Sequence, residues 1–187
     1  MHTRTAALAT TLLASAALTV IPAAAASASA GLTADQVVTE LTAISADADA
    51  AGTATNQITS DSAATAAPAA IAAWQSVISD STAAENALNS SGSQFSGSDE
   101  NAVVTASTSA VTHLQSALAA AVTQSGVIVQ AGQAPPFEAA FRAFESAWDG
   151  YSLALINADP EATSQLQSQK SALDNSVEQA ISAYASS

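Results

Sequence analysis

Apolar positions along this chain recur at helical spacing, and one stripe dominates. Phe137, Phe141, Phe144, Trp148, Tyr151 and Leu155 are separated by alternating steps of four and three. That spacing projects all six side chains from one face of an α-helix. The chain holds eight aromatic residues, and five of them stand on this stripe. One predicted helix therefore carries an unusual share of the bulky apolar surface. Any ligand or surface the protein holds is expected there first.

Four further segments show thinner seams. The first opens at Thr33-Ala34-Asp35-Gln36, a capping-box pattern, and continues through Val37, Leu41, Ile44, Ala48, Ala51, Thr55 and Ile58. A break is expected over 61–65, and Gly52 weakens the helix before it. The second segment places Pro68 in its first turn, where a missing amide is tolerated, and runs through Ile71, Trp74, Ile78, Ser81, Glu85 and Leu88. Positions 89–97 read as a loop. Ser98 then caps a third helix, with Asp99 and Glu100 in the first turn where the dipole favours anions. Its seam is Val104, Val111, Leu114, Leu118 and Val122, with Gly126 leaving 127–131 frayed or kinked and Gly132 as the stop. Pro135-Pro136 starts the aromatic helix, and Asn157-Ala158 ends it. Asp159-Pro160-Glu161 offers a cap, a proline at the first position and an acid for a fifth helix, which carries Leu166, Leu173, Val177, Ile181 and Tyr184. No segment sustains period-two alternation of β-branched residues. The expected fold is all-α: an up-and-down bundle of about five amphipathic, Ala-rich helices whose short connections pack neighbours antiparallel.

Residues 1–30 stand apart. A weakly basic start, an apolar run from Ala6 to Ile21 and small residues through Ala28-Ser29-Ala30 read as a secretory signal peptide. Cleavage is expected before Gly31 or within a few residues of it. Residues 31–187 then form one helical-bundle domain, long enough to bury a core. All sixteen acids lie in it against two cations, Arg142 and Lys170, a formal charge of −14. Phosphate binding needs clustered Lys and Arg, so nucleic acid is excluded as a partner. The chain has no cysteine, and a secreted domain without disulfides must hold together by packing. Beyond the leader no apolar stretch is long enough for a transmembrane segment. The expected localisation is extracellular or cell wall.

Catalytic chemistry is not indicated. His113 is the one histidine beyond the leader, and it sits one position off the Val111/Leu114 seam, as an edge side chain would. Asp47 and Asp49 are two apart and point to different sides of a helix. No metal-ligand set, nucleophile elbow or phosphate loop occurs, so no cofactor and no metal are expected. Asn89-Ser90-Ser91 is an N-glycosylation acceptor pattern.

The order of these pieces resembles the fungal hydrophobic-surface-binding proteins, also called cell-wall galactomannoproteins. The resemblance rests on the Val37/Leu41/Ile44 opening and on the Val111, Leu114, Leu118 seam followed by Ala131-Gly132. It rests further on the Leu155-Ile156-Asn157-Ala158-Asp159-Pro160 junction and on the Val177-to-Tyr184 ending. Two features depart from the family's pattern. Paired basic residues late in the third helix are replaced by Ser125-Gly126, and Phe137, Phe141 and Phe144 stand where aliphatics are common. The resemblance implies a secreted, non-enzymatic all-α bundle. It implies affinity for hydrophobic surfaces, lipids or fatty acids, and secreted hydrolases recruited to such surfaces as further partners.

The aromatic stripe supports more than one outcome. The rings fill the space that Ala-lined helices leave, as native packing density demands. Alternatively they line an apolar cavity for an acyl chain, or the helices part and lay the aromatic face on an interface. Candidate contact residues are Phe137, Phe141, Phe144, Trp148, Tyr151, Leu114, Leu118, Leu173 and Lys170. Lys170 sits in the fifth seam, where it either meets a ligand carboxylate at a cavity mouth or pairs with an acid such as Asp174. Glu138, Arg142, Glu145 and Asp149 form a charge row on the far face of the aromatic helix. The competing function is a structural, glycosylated wall mannoprotein with a full core and no small-molecule ligand.

Overall fold

The structure is a computed structural model that describes residues 31–185; the leader expected over 1–30 lies outside them. Every regular element among the described residues is a helix: α1 (Ala34–Asn56), α2 (Ala63–Ser91), α3 (Ser98–Gln130), α4 (Ala134–Ala158) and α5 (Thr163–Ala185). None is long and apolar enough to cross a membrane. The chain is an all-α up-and-down bundle.

Local chemistry explains the boundaries. Thr33 caps α1, its side chain accepting from the Gln36 amide while the Gln36 side chain accepts from the Thr33 amide. α1 runs past Gly52 to Asn56. A turn in which the Thr59 amide donates to Ser62 Oγ at 3.0 Å ends the break early, so α2 begins at Ala63. Pro68 therefore lies inside α2, beyond its first turn, where it removes one backbone hydrogen bond without ending the helix. α2 also reaches Ser91, which puts Asn89 on its exposed last turns and shortens the expected loop to 92–97. Gly97, not Ser98, holds the cap position of α3. α3 continues through Gly126 because Ile128 beyond it is fully buried, so tertiary packing outweighs the roughly 1 kcal/mol propensity cost. At its end Gly132 takes φ 72°, and the Gln133 amide donates to Ile128 O at 3.0 Å while Gly132 N donates to Val129 O at 2.9 Å. That is a Schellman stop requiring a left-handed residue. Asp159 does not open α5. It closes α4, its side chain accepts from the Ala162 amide at 3.2 Å, and α5 starts only at Thr163.

The five helices form a closed ring. α1 packs on α2 and α3, α2 on α4, α4 on α5, and α5 on α3. Chain ends fix the directions. Ser93 Oγ donates to Leu32 O at 2.9 Å and Phe95 N to Ala158 O at 2.8 Å, so the α2–α3 loop, the start of α1 and the end of α4 share one end of the bundle. Helices alternate up and down along the sequence, but a ring of five cannot alternate in space. Only α1·α2 and α4·α5 are antiparallel neighbours; α1·α3, α3·α5 and α2·α4 run parallel. Sequence neighbours α2 and α3, and α3 and α4, barely touch. This differs from the antiparallel packing expected from short connections alone.

The seams of α1 and α5 are buried as the spacing predicts. Those of α2 and α3 are rotated: Val77 and Val103 are buried where Ile78 and Val104 were expected, and the latter two are half-buried. α1 and α3 approach closely at Gly52, where an added Cβ would stand 3.2 Å from Ala117 Cα. Gly52→Val is expected to cost about 1–3 kcal/mol through overpacking, measurable by denaturant unfolding; an unchanged midpoint would mean the two helices can separate freely there.

Candidate functional site

The centre of the ring is filled by aromatic side chains, mostly from α4. Phe137, Phe141, Phe144, Trp148 and Tyr151 are all buried, joined by Trp74 from α2 and Tyr184 from α5. Phe141 meets Trp74 edge-on at 5.1 Å and Tyr184 at 5.4 Å. Phe137 stacks on Tyr184 at 5.5 Å, Phe144 lies 5.5 Å from Trp74, and Trp148 meets Tyr151 at 5.7 Å. Such offset and edge contacts suit the ring quadrupoles. Leu114 and Leu118 of α3 and Leu173 of α5 complete the walls. The structure thus draws eight of the nine sequence-derived contact candidates into one interior. The small Ala faces of α1, α2 and α3 are what make room for the rings.

Lys170 is placed differently. Its ammonium is held by Asp149 and, at 2.8 Å, by Asp174. The space it shares with Trp148, Ser107 and Leu166 is too small to admit water. Burial lowers its pKa, and the two carboxylates more than offset this, so the net shift is upward. Asp149 therefore serves Lys170 rather than the α4 charge row, in which Arg142 Nη2 donates to Glu138 at 2.8 Å. His113 is half-buried, its Nδ1 2.6 Å from Asp49 across the α1–α3 seam.

The interior is apolar but not free of polar atoms. Trp74 Nε1, Trp148 Nε1, Tyr151 OH and Ser81 Oγ are buried without a hydrogen-bond partner among the described residues. Four such atoms in one core is unusual, since each unmet group costs about 1–3 kcal/mol. Two of them belong to α2, Trp74 and Ser81, and two to α4, Trp148 and Tyr151. These helices run parallel, Trp74 is level with Phe141 and Phe144, and Ser81, two turns on, is therefore level with Trp148 and Tyr151. Burial and then the charge of Glu40 raise the Tyr151 pKa far above the ordinary tyrosine value. By contrast Tyr184 OH donates to Ala121 O at 2.7 Å. Tyr184→Phe is expected to cost about 1 kcal/mol by thermal unfolding; no loss would mean this hydrogen bond adds nothing over its apolar replacement.

Acidic side chains frame the bundle. Glu40 lines a groove of about 370 Å³ between α1 and α2, with Ala43, Ala83, Ala84, Ala87 and Asp80. Its Oε2 is buried and unpartnered, and burial raises its pKa. Asp47 faces Asp80 within hydrogen-bond reach, and burial, then the Asp80 charge, raise its pKa. At the end of the bundle Asp159 is fully buried and raised by burial, partly offset by the Ala162 amide. Among the described residues no three such side chains converge as metal ligands would.

Sequence spacing placed Trp74 and Ser81 on the α2 seam without marking them as site residues. Trp74 carries a signal, being one of the two tryptophans of the chain. Glu40 carried no signal: it lies one step off the α1 seam, and only the neighbouring α2 makes it a groove residue.

No protein-family model matches the chain, and none of the curated proteins does. Two solved structures share its fold. One is AfMp4p in complex with palmitic acid, with a TM-score of 0.75 and 23% identity over 81% of this chain and 99% of that one. The other is ligand binding domain 2 of the Penicillium marneffei MP1 protein complexed with multiple arachidonic acids, with a TM-score of 0.71 and 16% identity over 82% of this chain and 96% of that one. At these identities the likeness is one of fold: a five-helix, all-α domain of the kind seen in these two ligand-bound proteins.

Proposed function

We propose that this chain is a secreted, non-enzymatic bundle that binds lipids or hydrophobic surfaces through its ring-lined interior. The observation that carries the reading is the set of unpartnered polar atoms, Trp74 Nε1, Ser81 Oγ, Trp148 Nε1 and Tyr151 OH, inside an otherwise aromatic core. A core built only for stability gains nothing from them. A core that admits an amphiphile uses them to hold its polar end, while the rings cover its chain. The likeness to folds solved with palmitic and arachidonic acid supports the same reading. The rings already fill the centre, so entry of a chain requires α2 and α4 to part and side chains to change rotamer, as in hydrophobic opening at an interface. The leader-like residues 1–30 support secretion into the wall or medium.

The test is native mass spectrometry of the protein recovered from the medium, with adsorption to hydrophobic beads measured alongside. A bound lipid mass, or saturable adsorption, is expected. A lipid-free protein that ignores the beads, with mannan on Asn89 and the Ser/Thr positions, would instead indicate a structural wall glycoprotein.

A further inference from the structure

The four unpartnered atoms of the interior differ in chemistry and in height along the bundle. An indole N–H donates and accepts nothing, whereas the Ser81 and Tyr151 hydroxyls can do both. Trp74 and Trp148 are both buried, and neither Nε1 has a hydrogen-bond partner among the described residues. The Trp74 ring meets Phe141 edge-on and lies 5.5 Å from Phe144. On α4, Trp148 follows Phe144 by four residues and Tyr151 follows it by seven; on α2, Ser81 follows Trp74 by seven. In two parallel helices rising about 1.5 Å per residue, Ser81 and Tyr151 therefore stand about 10 Å beyond Trp74 along the axis, with Trp148 between.

One carboxyl or hydroxyl end reaches only one of these heights. Seated at Ser81 and Tyr151, it leaves the Trp74 N–H far along the aliphatic chain, where plain hydrocarbon offers no acceptor. That buried donor is unmet in the free protein and stays unmet with such a ligand bound. An oxygen built into the chain at this height satisfies it. The oxygen must be a pure acceptor, because a hydroxyl would bring a hydrogen of its own among the rings of Phe141 and Phe144, which give it no oxygen or nitrogen partner. It must also be uncharged, since no cation serves the interior: Arg142 is engaged by Glu138, and Lys170 by Asp149 and Asp174. We infer that the interior takes a long aliphatic chain with a ketone or ester carbonyl part-way along it. Trp74 Nε1 donates to that carbonyl, and Ser81 and Tyr151 hold the polar end of the chain. This rests on the lipid-binding reading and names a ligand class different from the palmitic and arachidonic acids of the two similar folds, whose oxygens lie at one end only.

Stearate and its mid-chain hydroxy and keto derivatives are offered separately to the purified chain at pH 7, below the concentrations at which each aggregates. Binding is followed by native mass spectrometry and isothermal titration calorimetry. The keto acid is expected to bind about tenfold more tightly than stearate, the gain that one recovered hydrogen bond supplies, with the hydroxy acid between them. This comparison needs no variant. Trp74→Phe keeps an aromatic ring and loses the N–H. Checked for helical content by circular dichroism, it is expected to bring the keto acid down to the affinity of stearate while stearate itself is unchanged. A keto acid that binds no more tightly than stearate, or a preference that survives Trp74→Phe undiminished, overturns the inference and leaves lipid binding standing. Binding of none of the three overturns the lipid-binding reading itself.

Discussion

Phe141→Ala should destabilise the bundle by about 3–5 kcal/mol, lowering Tm by roughly 10 °C or more for a domain of this size. Phe141 is the hub of the interior. It is fully buried and touches rings from three helices: Trp74 on α2, Phe137 on its own α4, and Tyr184 on α5. Its removal deletes contacts that hold α2 and α5 to α4, and it leaves a void walled by aromatic groups that cannot collapse easily. The walls near this void are apolar, so a small apolar molecule should enter it and restore part of the loss, as in other engineered apolar cavities. Thermal unfolding followed by circular dichroism, with and without benzene, reads both effects. A cost below about 1 kcal/mol would mean that the rings are loosely packed and that α4 is not the organising helix.

Stability should rise as the medium is acidified from neutral toward the isoelectric point near 4.1. Glu40, Asp47 and Asp159 all have folded pKa values raised, first by burial and, for Asp47 and Asp159, also by a neighbouring carboxylate. A carboxyl with a raised folded pKa binds its proton more readily in the native state than in the unfolded chain. Linkage then requires stability to fall with rising pH between the unfolded and folded pKa values, and to be regained as pH drops back through that window. The window opens at the ordinary carboxyl values of about 3.9–4.3 and extends upward from there. Glu100, which lies beside Glu161 and Asp159, shifts in the same direction. The formal charge of −14 beyond the leader adds a general repulsion that acid also relieves. Tm measured from pH 7.5 to 4 should therefore climb, and Asp47→Asn should flatten part of the slope. A Tm that falls steadily over this range would show that native carboxylates are stabilised rather than strained.

Much of the fold could be read directly from spacing. The α1 and α5 seams are strictly periodic and lie where the pattern predicts. The capping box at Thr33 and the glycine stop at Gly132 depend on residues within one turn of each other, so local sequence suffices. Boundaries that depend on distant packing were not legible. Gly126 reads as the start of a frayed or kinked end and Pro68 as a first-turn residue, but burial of Ile128 carries α3 past the glycine and α2 begins early enough, at Ala63, to put the proline inside it. Asp159-Pro160-Glu161 has every local mark of a helix start, yet Asp159 closes α4 and holds a turn. The order of helices around the ring is non-local throughout, since connections of a few residues permit several neighbours.

The candidate site divides in the same way. The aromatic stripe on α4 is visible because its residues share one helix. Its partners Trp74 and Tyr184 come from helices distant in sequence. The polar atoms that give the interior its chemical character, and the groove that Glu40 edges, exist only once α1, α2 and α4 stand side by side. The same holds for Lys170. Its seam position is plain in the sequence, whereas its engagement by Asp149 requires the α4–α5 pairing.

The most direct test of the lipid-binding account is a crystal structure of the chain grown with a long-chain lipid. The expected result is an acyl chain between α2 and α4, with Phe141, Phe144 and Trp148 displaced around it and its polar end within hydrogen-bond distance of Ser81, Tyr151 or a tryptophan Nε1. A ligand-free interior with the rings unmoved, or lipid only on the outer surfaces of the helices, would contradict it.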